Sequence, residues 1–98
     1  MGRIGVIAQL VPGARERAEE IVAAGPPFDL AKAGFSEHSI FIGGDSVLFV
    51  FDGPDVERRV SALAADPGAS SALSHWAPIL AGTPHMAHEV FTWKGEPS

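Results

Sequence analysis

Residues 35–52, FSEHSIFIGGDSVLFVFD, decide the fold of this chain. They contain two runs rich in β-branched and aromatic residues, 35–42 and 46–52, which are separated by Gly43-Gly44-Asp45. Two runs of this composition joined by a short glycine-containing loop are typical of a β-hairpin. The sequence therefore predicts two neighbouring antiparallel strands in the middle of the chain.

A strand and a helix are predicted before this hairpin. Residues 3–11 are rich in Ile and Val and show alternation, which predicts a strand that ends at Pro12-Gly13. The next segment carries apolar residues at helical spacing, with charged residues on the opposite face, until Gly25-Pro26-Pro27. The first part of the chain is thus predicted to be a strand followed by an amphipathic helix.

Two helical stretches and a last strand are predicted after the hairpin. One helix starts at Gly53-Pro54, because a proline near the first helical position costs no hydrogen bond, and it ends at Asp66-Pro67-Gly68. A further helical stretch covers residues 69–80, and residues 87–93, AHEVFTW, are predicted to form the last strand. The resulting order, β-α-β-β-α-α-β, predicts an α+β protein with an antiparallel sheet and the ferredoxin-like, split βαβ fold.

Length and composition bound the function. A chain of 98 residues holds one domain, which we assign to residues 1–98, and residues 94–98 are expected to be a frayed C-terminal end. With 46% hydrophobic and 19% charged residues, it is too apolar for a disordered chain. The net charge of −5, without a cluster of Lys or Arg, argues against binding to nucleic acid. The absence of cysteine excludes disulfides, thiolate nucleophiles and cysteine-bound metals.

The N-terminal segment, MGRIGVIAQLV, bears on localisation. Its apolar run is too short for a signal peptide with a cleavage site, and far too short to span a bilayer. We therefore expect a cytoplasmic protein that does not associate with membranes.

The strand at residues 46–52 carries apolar side chains on both faces. Val47, Phe49 and Phe51 point one way, whereas Leu48 and Val50 point the other way. A strand of this kind is usually buried on both sides. Because the helices can cover only one face of the sheet, the sequence predicts a homodimer in which two sheets meet face to face, with space for a ligand between them.

This pattern resembles the dimeric α+β-barrel superfamily, over nearly all of the chain from Ile4 to Trp93. Within it, the chain is most similar to the small polyketide cyclases and their SchA/CurD-like relatives, and more distantly to sugar mutarotases. The segments similar to polyketide cyclases are Val11-Pro12-Gly13-Ala14, His38-Ser39-Ile40-Phe41, Asp66-Pro67, Met86-Ala87 and Val90-Phe91-Thr92-Trp93. The segments similar to mutarotases are Ser39-Ile40-Phe41, Leu48-Phe49, Trp76 and Glu89-Val90-Phe91.

The resemblance implies a cofactor-independent enzyme that acts on a hydrophobic or aromatic carbonyl metabolite. Similar mutarotases carry a tyrosine and a histidine on the first helix, where this chain has Ala18 and Val22, so sugar anomerisation by that route is not expected. Similar polyketide cyclases carry a basic residue at the position of His38, and a histidine at the position of Phe49. A non-catalytic dimeric binding or interaction protein therefore stays open as an alternative. A cofactor-free monooxygenase is a weaker alternative, because the residues used by similar enzymes include Asn and Tyr, which this chain lacks.

Two histidines are the candidate catalytic residues, because histidine exchanges protons near neutral pH. His38 lies in phase with Ile40 and Ile42 and, inside a barrel, could move a proton on an enolisable carbonyl compound. His88 alternates with Val90 and could share the same cavity. The competing interpretation for His38 is a structural histidine at the sheet surface or at a dimer contact.

Four further residues are candidate ligand-binding residues. Gln9 is a polar interruption of the first strand, and it either bonds a ligand or lies at an exposed strand end. Phe49 and Trp76 would line the cavity, although Trp76 also suits a core position, and the neighbouring His75 suits the surface. His85-x-x-His88 lacks a third ligand at a recognisable spacing, so no metal is expected. No nucleotide-cofactor motif is present, and the expected ligand is a hydrophobic small molecule.

Overall fold

The computed structural model describes residues 2–25, 29–63 and 74–95. Four strands in these residues form one antiparallel sheet in the order β2-β3-β1-β4. The elements are, in chain order, β1 (Gly2–Leu10), α1 (Arg15–Ala23), β2 (Glu37–Gly43), β3 (Ser46–Gly53), α2 (Val56–Leu63), a short 3-10 helix (Ala77–Ile79) and β4 (Leu80–His88). The predicted α+β, ferredoxin-like fold is confirmed.

The β2–β3 hairpin sets the register of the sheet. Gly43 pairs with Ser46, so the turn consists of Gly44 and Asp45, and Gly44 has a φ of +57° that suits glycine. Val50, in the middle of β3, pairs with Ser39 on one side and with Gly5 on the other. β3 and β1 are therefore the inner strands, and β2 and β4 are the edges.

The helices cover one face of the sheet and form a core in two parts. The first part packs α1 on the sheet through Ala18, which is fully buried. The second packs α2 and the segment before β2 on the other end. Its buried members are Ile4, Phe35, Phe51 and Val56, and those of the first are Ala8, Leu10, Ala14, Ala18, Val47 and Trp76. Every second side chain of β1 and β3 thus lies on the helix-covered face, as the predicted alternation requires.

The opposite face of the sheet carries apolar side chains that no described helix covers. Ile7 is 40% exposed and Phe41 is 58% exposed, while Leu48 and Val50 between them are half-buried. We call these four residues the open face. Their exposure is unusual for large apolar side chains that lie side by side on neighbouring strands.

The last strand was predicted at the wrong place. β4 covers Leu80–His88, whereas residues 89–95 form no strand. Gly82 and Pro84 are typical turn residues by sequence, but an edge strand tolerates a proline without an N–H. Gly82, with a φ of +79°, lies where the pairing with β1 shifts between Ile7 and Gln9, which is a bulge.

The helical predictions after β3 fare differently. The helix predicted from Gly53-Pro54 begins at Val56, and its predicted end, Asp66-Pro67-Gly68, lies outside the described residues. Of the further helical stretch predicted at 69–80, residues 69–73 also lie outside them. Residues 74–79 form a turn and the short 3-10 helix, and residue 80 already belongs to β4. None of the helices in the described part of the chain is long and apolar enough to cross a membrane.

Candidate functional site

A cavity of about 640 Å³ lies between α1, the segment that follows it, and the helix-covered side of β2. We call it the α1–β2 cavity. Its apolar walls include Ile21, Leu30, Ile40 and Trp76, and its polar residues are Arg17, Glu20, His38 and His75. Small-molecule sites have volumes of about 300–1,000 Å³ and mostly apolar walls with a few polar groups, so this cavity has the size and lining of such a site.

His38 is held in this cavity by two contacts. It pairs with Phe51 across the hairpin, and the two rings stack with their centroids 4.3 Å apart and their planes inclined by 23°. Its Nδ1 lies 2.9 Å from the carbonyl oxygen of Val50. The side chain of His38 therefore faces the helices, which corrects the expectation that it points into a space between two sheets.

The surroundings of His38 determine its protonation. Burial lowers the pKa of His38 from its ordinary 6.5, and the hydrogen bond to the Val50 backbone opposes this effect. A carbonyl oxygen accepts hydrogen bonds only, so Nδ1 donates its proton to it. In the neutral ring, Nε2 is then the unprotonated nitrogen, and it can act as a base.

The polar groups at the mouth of the cavity come from α1 and from the turn before the 3-10 helix. Arg17 donates a hydrogen bond to Glu20 over 3.1 Å, and both side chains are exposed. His75 is exposed as predicted, and its neighbour Trp76 is only 4% exposed. Trp76 stands edge-on to Phe49 at 5.0 Å between ring centroids, so it belongs to the core and at the same time forms a wall of the cavity.

The other predicted site residues lie apart from the cavity. His88 is on the edge strand β4, with β1 and β3 between it and His38, and its Nδ1 is 3.9 Å from the carboxylate of Glu57. Gln9 is exposed, and its side-chain oxygen accepts a hydrogen bond from the Ser46 hydroxyl over 3.2 Å. Phe49 lies behind Trp76 in the core. The structure therefore brings His38, His75 and Trp76 together, but not His88 or Gln9.

The sequence analysis missed the contribution of α1. Arg17 and Glu20 line the mouth together with Ile21, at the border between the polar and apolar sides of the helix. The spacing of Arg17 and Ile21, four residues apart, places them on one helix edge and was the available signal. Charged residues on an amphipathic helix ordinarily form a solvated face, so this spacing alone does not distinguish a binding site from surface.

His85 and His88 do not form a metal site. His85 pairs with Ile7 of the open face and His88 pairs with Ile4 of the core, so the two side chains point to opposite sides of β4. Among the residues that the structure describes, no three His, Asp or Glu side chains come close enough together to hold a metal ion.

Comparison with solved structures shows what this architecture is similar to. Tetracenomycin F2 cyclase from Streptomyces glaucescens, a type-II polyketide cyclase, superposes with a TM-score of 0.76 at 13% identity, over 98% of this chain and 100% of the other. The chain has the ferredoxin-like fold. No protein-family model matches the sequence, and no curated protein matches it.

Two more structures with the ferredoxin-like fold are similar. L-rhamnose mutarotase from Formosa agariphila gives a TM-score of 0.71 at 20% identity and covers 96% of this chain and 100% of the other. An antibiotic biosynthesis monooxygenase gives a TM-score of 0.62 at 10% identity and covers 94% of this chain and 99% of the other. The predicted resemblance to polyketide cyclases and mutarotases is thus confirmed at the level of the fold. Because one fold hosts different reactions, the function has to be argued from the site.

Proposed function

We propose that the protein is a cofactor-independent enzyme of the polyketide-cyclase type, which binds a hydrophobic or aromatic carbonyl compound in the α1–β2 cavity. The observation that carries the proposal is the half-buried ring of His38, which lies between an apolar wall of the cavity and the Val50 carbonyl. A perturbed titratable group inside a pocket of ligand size is a candidate for acid–base catalysis. The similarity of the fold to that of a polyketide cyclase is consistent with this chemistry.

The proposed reaction needs proton transfer and positioning only. Nε2 of His38 takes a proton from the carbon next to a carbonyl group, and the electron pair of the C–H bond moves towards the carbonyl oxygen to give an enolate. The enolate carbon then attacks a second carbonyl of the same molecule, which closes a ring, and the imidazolium returns its proton to the new alkoxide. The hydrogen bond from Nδ1 to Val50 keeps the ring oriented while its charge changes.

The groups that orient the substrate differ from those predicted by sequence. The positions of His88 and Gln9 do not support a role at this cavity, because neither residue lies at it. We infer that Arg17 and His75, at the mouth, hold the polar end of the substrate while the walls hold its apolar part. Arg17 is available for this because its ion pair with Glu20 is exposed and therefore weak.

Proton exchange on a simple ketone tests the proposed role of His38. The probe is 1-tetralone, an aromatic ketone with an enolisable CH₂ group, and NMR in D₂O follows the loss of its proton signal. We expect the wild-type protein to accelerate the exchange, and His38→Ala and His38→Gln to lose at least about a hundredfold of this acceleration, the usual contribution of a general base. Ser39→Ala is the matched control, because Ser39 is the next residue of β2 and points to the opposite face. Equal rates in the wild type and both His38 variants would overturn the proposal.

A non-catalytic binding protein is the second candidate function. It is favoured by a specific observation, namely that the sequence has Phe49 where similar cyclases have a histidine, and that in the described residues the only other histidine at the cavity is the exposed His75. A protein of this kind would bind 1-anilinonaphthalene-8-sulfonate in the cavity, and 1-tetralone would displace the dye. It would show no exchange above the background of buffer.

We further propose that the protein is a homodimer through the open face. The support is the exposure of Phe41 and Ile7 beside the half-buried Leu48 and Val50, since contiguous apolar surface is stabilised when a second copy covers it. Light scattering at micromolar concentration is expected to give twice the mass of one chain. Phe41→Glu, which places a charge at the most exposed side chain of that surface, is expected to give a monomer.

Val22→Glu is the matched control for this experiment. Val22 is 39% exposed, but it lies on α1 and thus on the far side of the sheet. The variant should remain a dimer. A wild-type protein that scatters as a monomer would contradict the proposal.

A further inference from the structure

The residues after β4 present their side chains in an unexpected way. Residues 89–95, which we call the tail, form no regular element. Within the tail, Val90 is 96% exposed, Phe91 is 79% exposed and Trp93 is 78% exposed. They are the three most exposed large apolar side chains among the described residues.

The polar residues of the tail, in contrast, turn towards the sheet of their own chain. The carboxylate of Glu89 accepts a hydrogen bond from Arg3 over 3.4 Å, and Arg3 also donates one to Asp52 over 2.7 Å. Thr92 and Lys94 line a polar cavity of about 310 Å³ around the same arginine, at one end of the sheet. The tail is therefore reversed relative to a segment that packs on its own subunit in water, because its polar side chains point in and its aromatic side chains point out.

We propose that Phe91 and Trp93 of one copy pack on the open face of a second copy. The inference rests on the homodimer proposed above and specifies which segment completes its interface. Both surfaces are apolar and uncovered in the single chain. In a two-fold symmetric dimer, the tail of each copy would cover the open face of the other, so the same contact occurs twice.

The length of the tail is sufficient for this contact. The four residue steps from Glu89 to Trp93 span at most about 14 Å when extended, and two sheets packed face to face lie about 10 Å apart. The ion pair between Arg3 and Glu89 holds the start of the tail at the open side of β1, since Arg3 lies in phase with Ile7. With Thr92 and Lys94 on the sheet of their own chain, the side chains of Phe91 and Trp93 face away from it, towards the position that a second sheet would take.

Tryptophan fluorescence tests the proposal, because the chain has two tryptophans, of which Trp76 is buried. The difference in acrylamide quenching between the wild type and Trp93→Phe isolates the signal of Trp93. In the dimer we expect Trp93 to be quenched at least threefold less than free tryptophan. In Phe41→Glu, which is expected to be monomeric, Trp93 should be quenched like free tryptophan, and in Val22→Glu it should remain shielded.

A second variant measures the contribution of the tail to association. Phe91→Ser combined with Trp93→Ser is expected to raise the dissociation constant of the dimer at least tenfold, with unchanged helix and strand content by circular dichroism. The single control Thr92→Ser, between these positions, should leave the constant unchanged.

The outcomes separate this inference from the dimer itself. A dimer whose Trp93 is quenched like free tryptophan, and whose double serine variant associates normally, overturns the role of the tail but leaves the homodimer standing. A monomer with an exposed Trp93 overturns both.

Discussion

His38 links the stability of the fold to pH through one ring. Burial lowers its pKa in the folded protein below the ordinary 6.5, whereas the ring is hydrated in the unfolded chain and keeps the ordinary value. Above that value both states hold a neutral ring. As the pH falls through it, the unfolded state takes up the proton first, so the folded state loses stability until the pH passes the lowered pKa.

When the pH is lowered from about 7.5 to about 5.5, the free energy of unfolding is therefore expected to decrease more in the wild type than in His38→Gln, because glutamine does not titrate in this range. Urea unfolding at several pH values measures both. The difference between the two slopes isolates His38, since the other titratable groups are common to both proteins. A wild-type slope no steeper than that of the variant would contradict the assigned environment of the ring.

At the scale of single residues, the sequence indicated His38, His75 and Trp76 as site residues but not Arg17. His38 stands out because a polar residue interrupts an apolar strand face between Ile40 and the start of β2. Arg17 does not stand out, because an arginine on an amphipathic helix is ordinary. His88 shares a face with His38, but the order of the strands, which depends on contacts distant in sequence, puts two strands between them.

At the scale of the elements, the β2–β3 hairpin depends on its turn. Gly44 has a φ of +57° at the first position of a two-residue turn, where residues with a side chain are strained. Gly43, its neighbour, lies in β2, has no positive φ and has open space where a side chain would project. Of the two adjacent glycines, only Gly44 has a backbone conformation that favours glycine.

This difference gives a matched pair of substitutions. Gly44→Val is expected to lower the free energy of unfolding by about 1–2 kcal/mol, because a β-branched residue is strained at positive φ. Gly43→Val is expected to leave it unchanged or to raise it, because valine favours extended backbone. Thermal and urea unfolding measure both variants, and equal losses would show that the turn has another geometry.

The hairpin and β4 also show which elements can be predicted from local sequence patterns and which cannot. The hairpin was predictable because pattern and turn chemistry lie within one short segment. β4 was not, because its Gly82 and Pro84 are acceptable only at a sheet edge with a bulge, and edge position is decided by the whole sheet. The segment at 87–93 has the composition of a strand, but its β-branched and aromatic side chains are exposed beyond the end of β4.

At the scale of the whole molecule, the sheet has two faces with different roles. One face packs on the helices and contains the α1–β2 cavity, and the other is the open face. The apolar side chains on both faces of residues 46–52 indicated that a second surface needs covering. The side of the sheet that holds the candidate site could not be decided from strand alternation, because both faces of β3 are apolar.

Val50 belongs to both faces at once. Its carbonyl oxygen holds Nδ1 of His38, while its side chain lies on the open face. Packing of a second copy against the Val50 side chain would restrict the motion of the Val50 peptide group, which orients the proposed base His38. The specific activity per chain is therefore expected to decline when the protein is diluted below the dissociation constant of the dimer. Rates measured over a dilution series should then rise faster than linearly with protein concentration. Dimer formation would in this way control the rate of the proposed reaction through the peptide group of Val50.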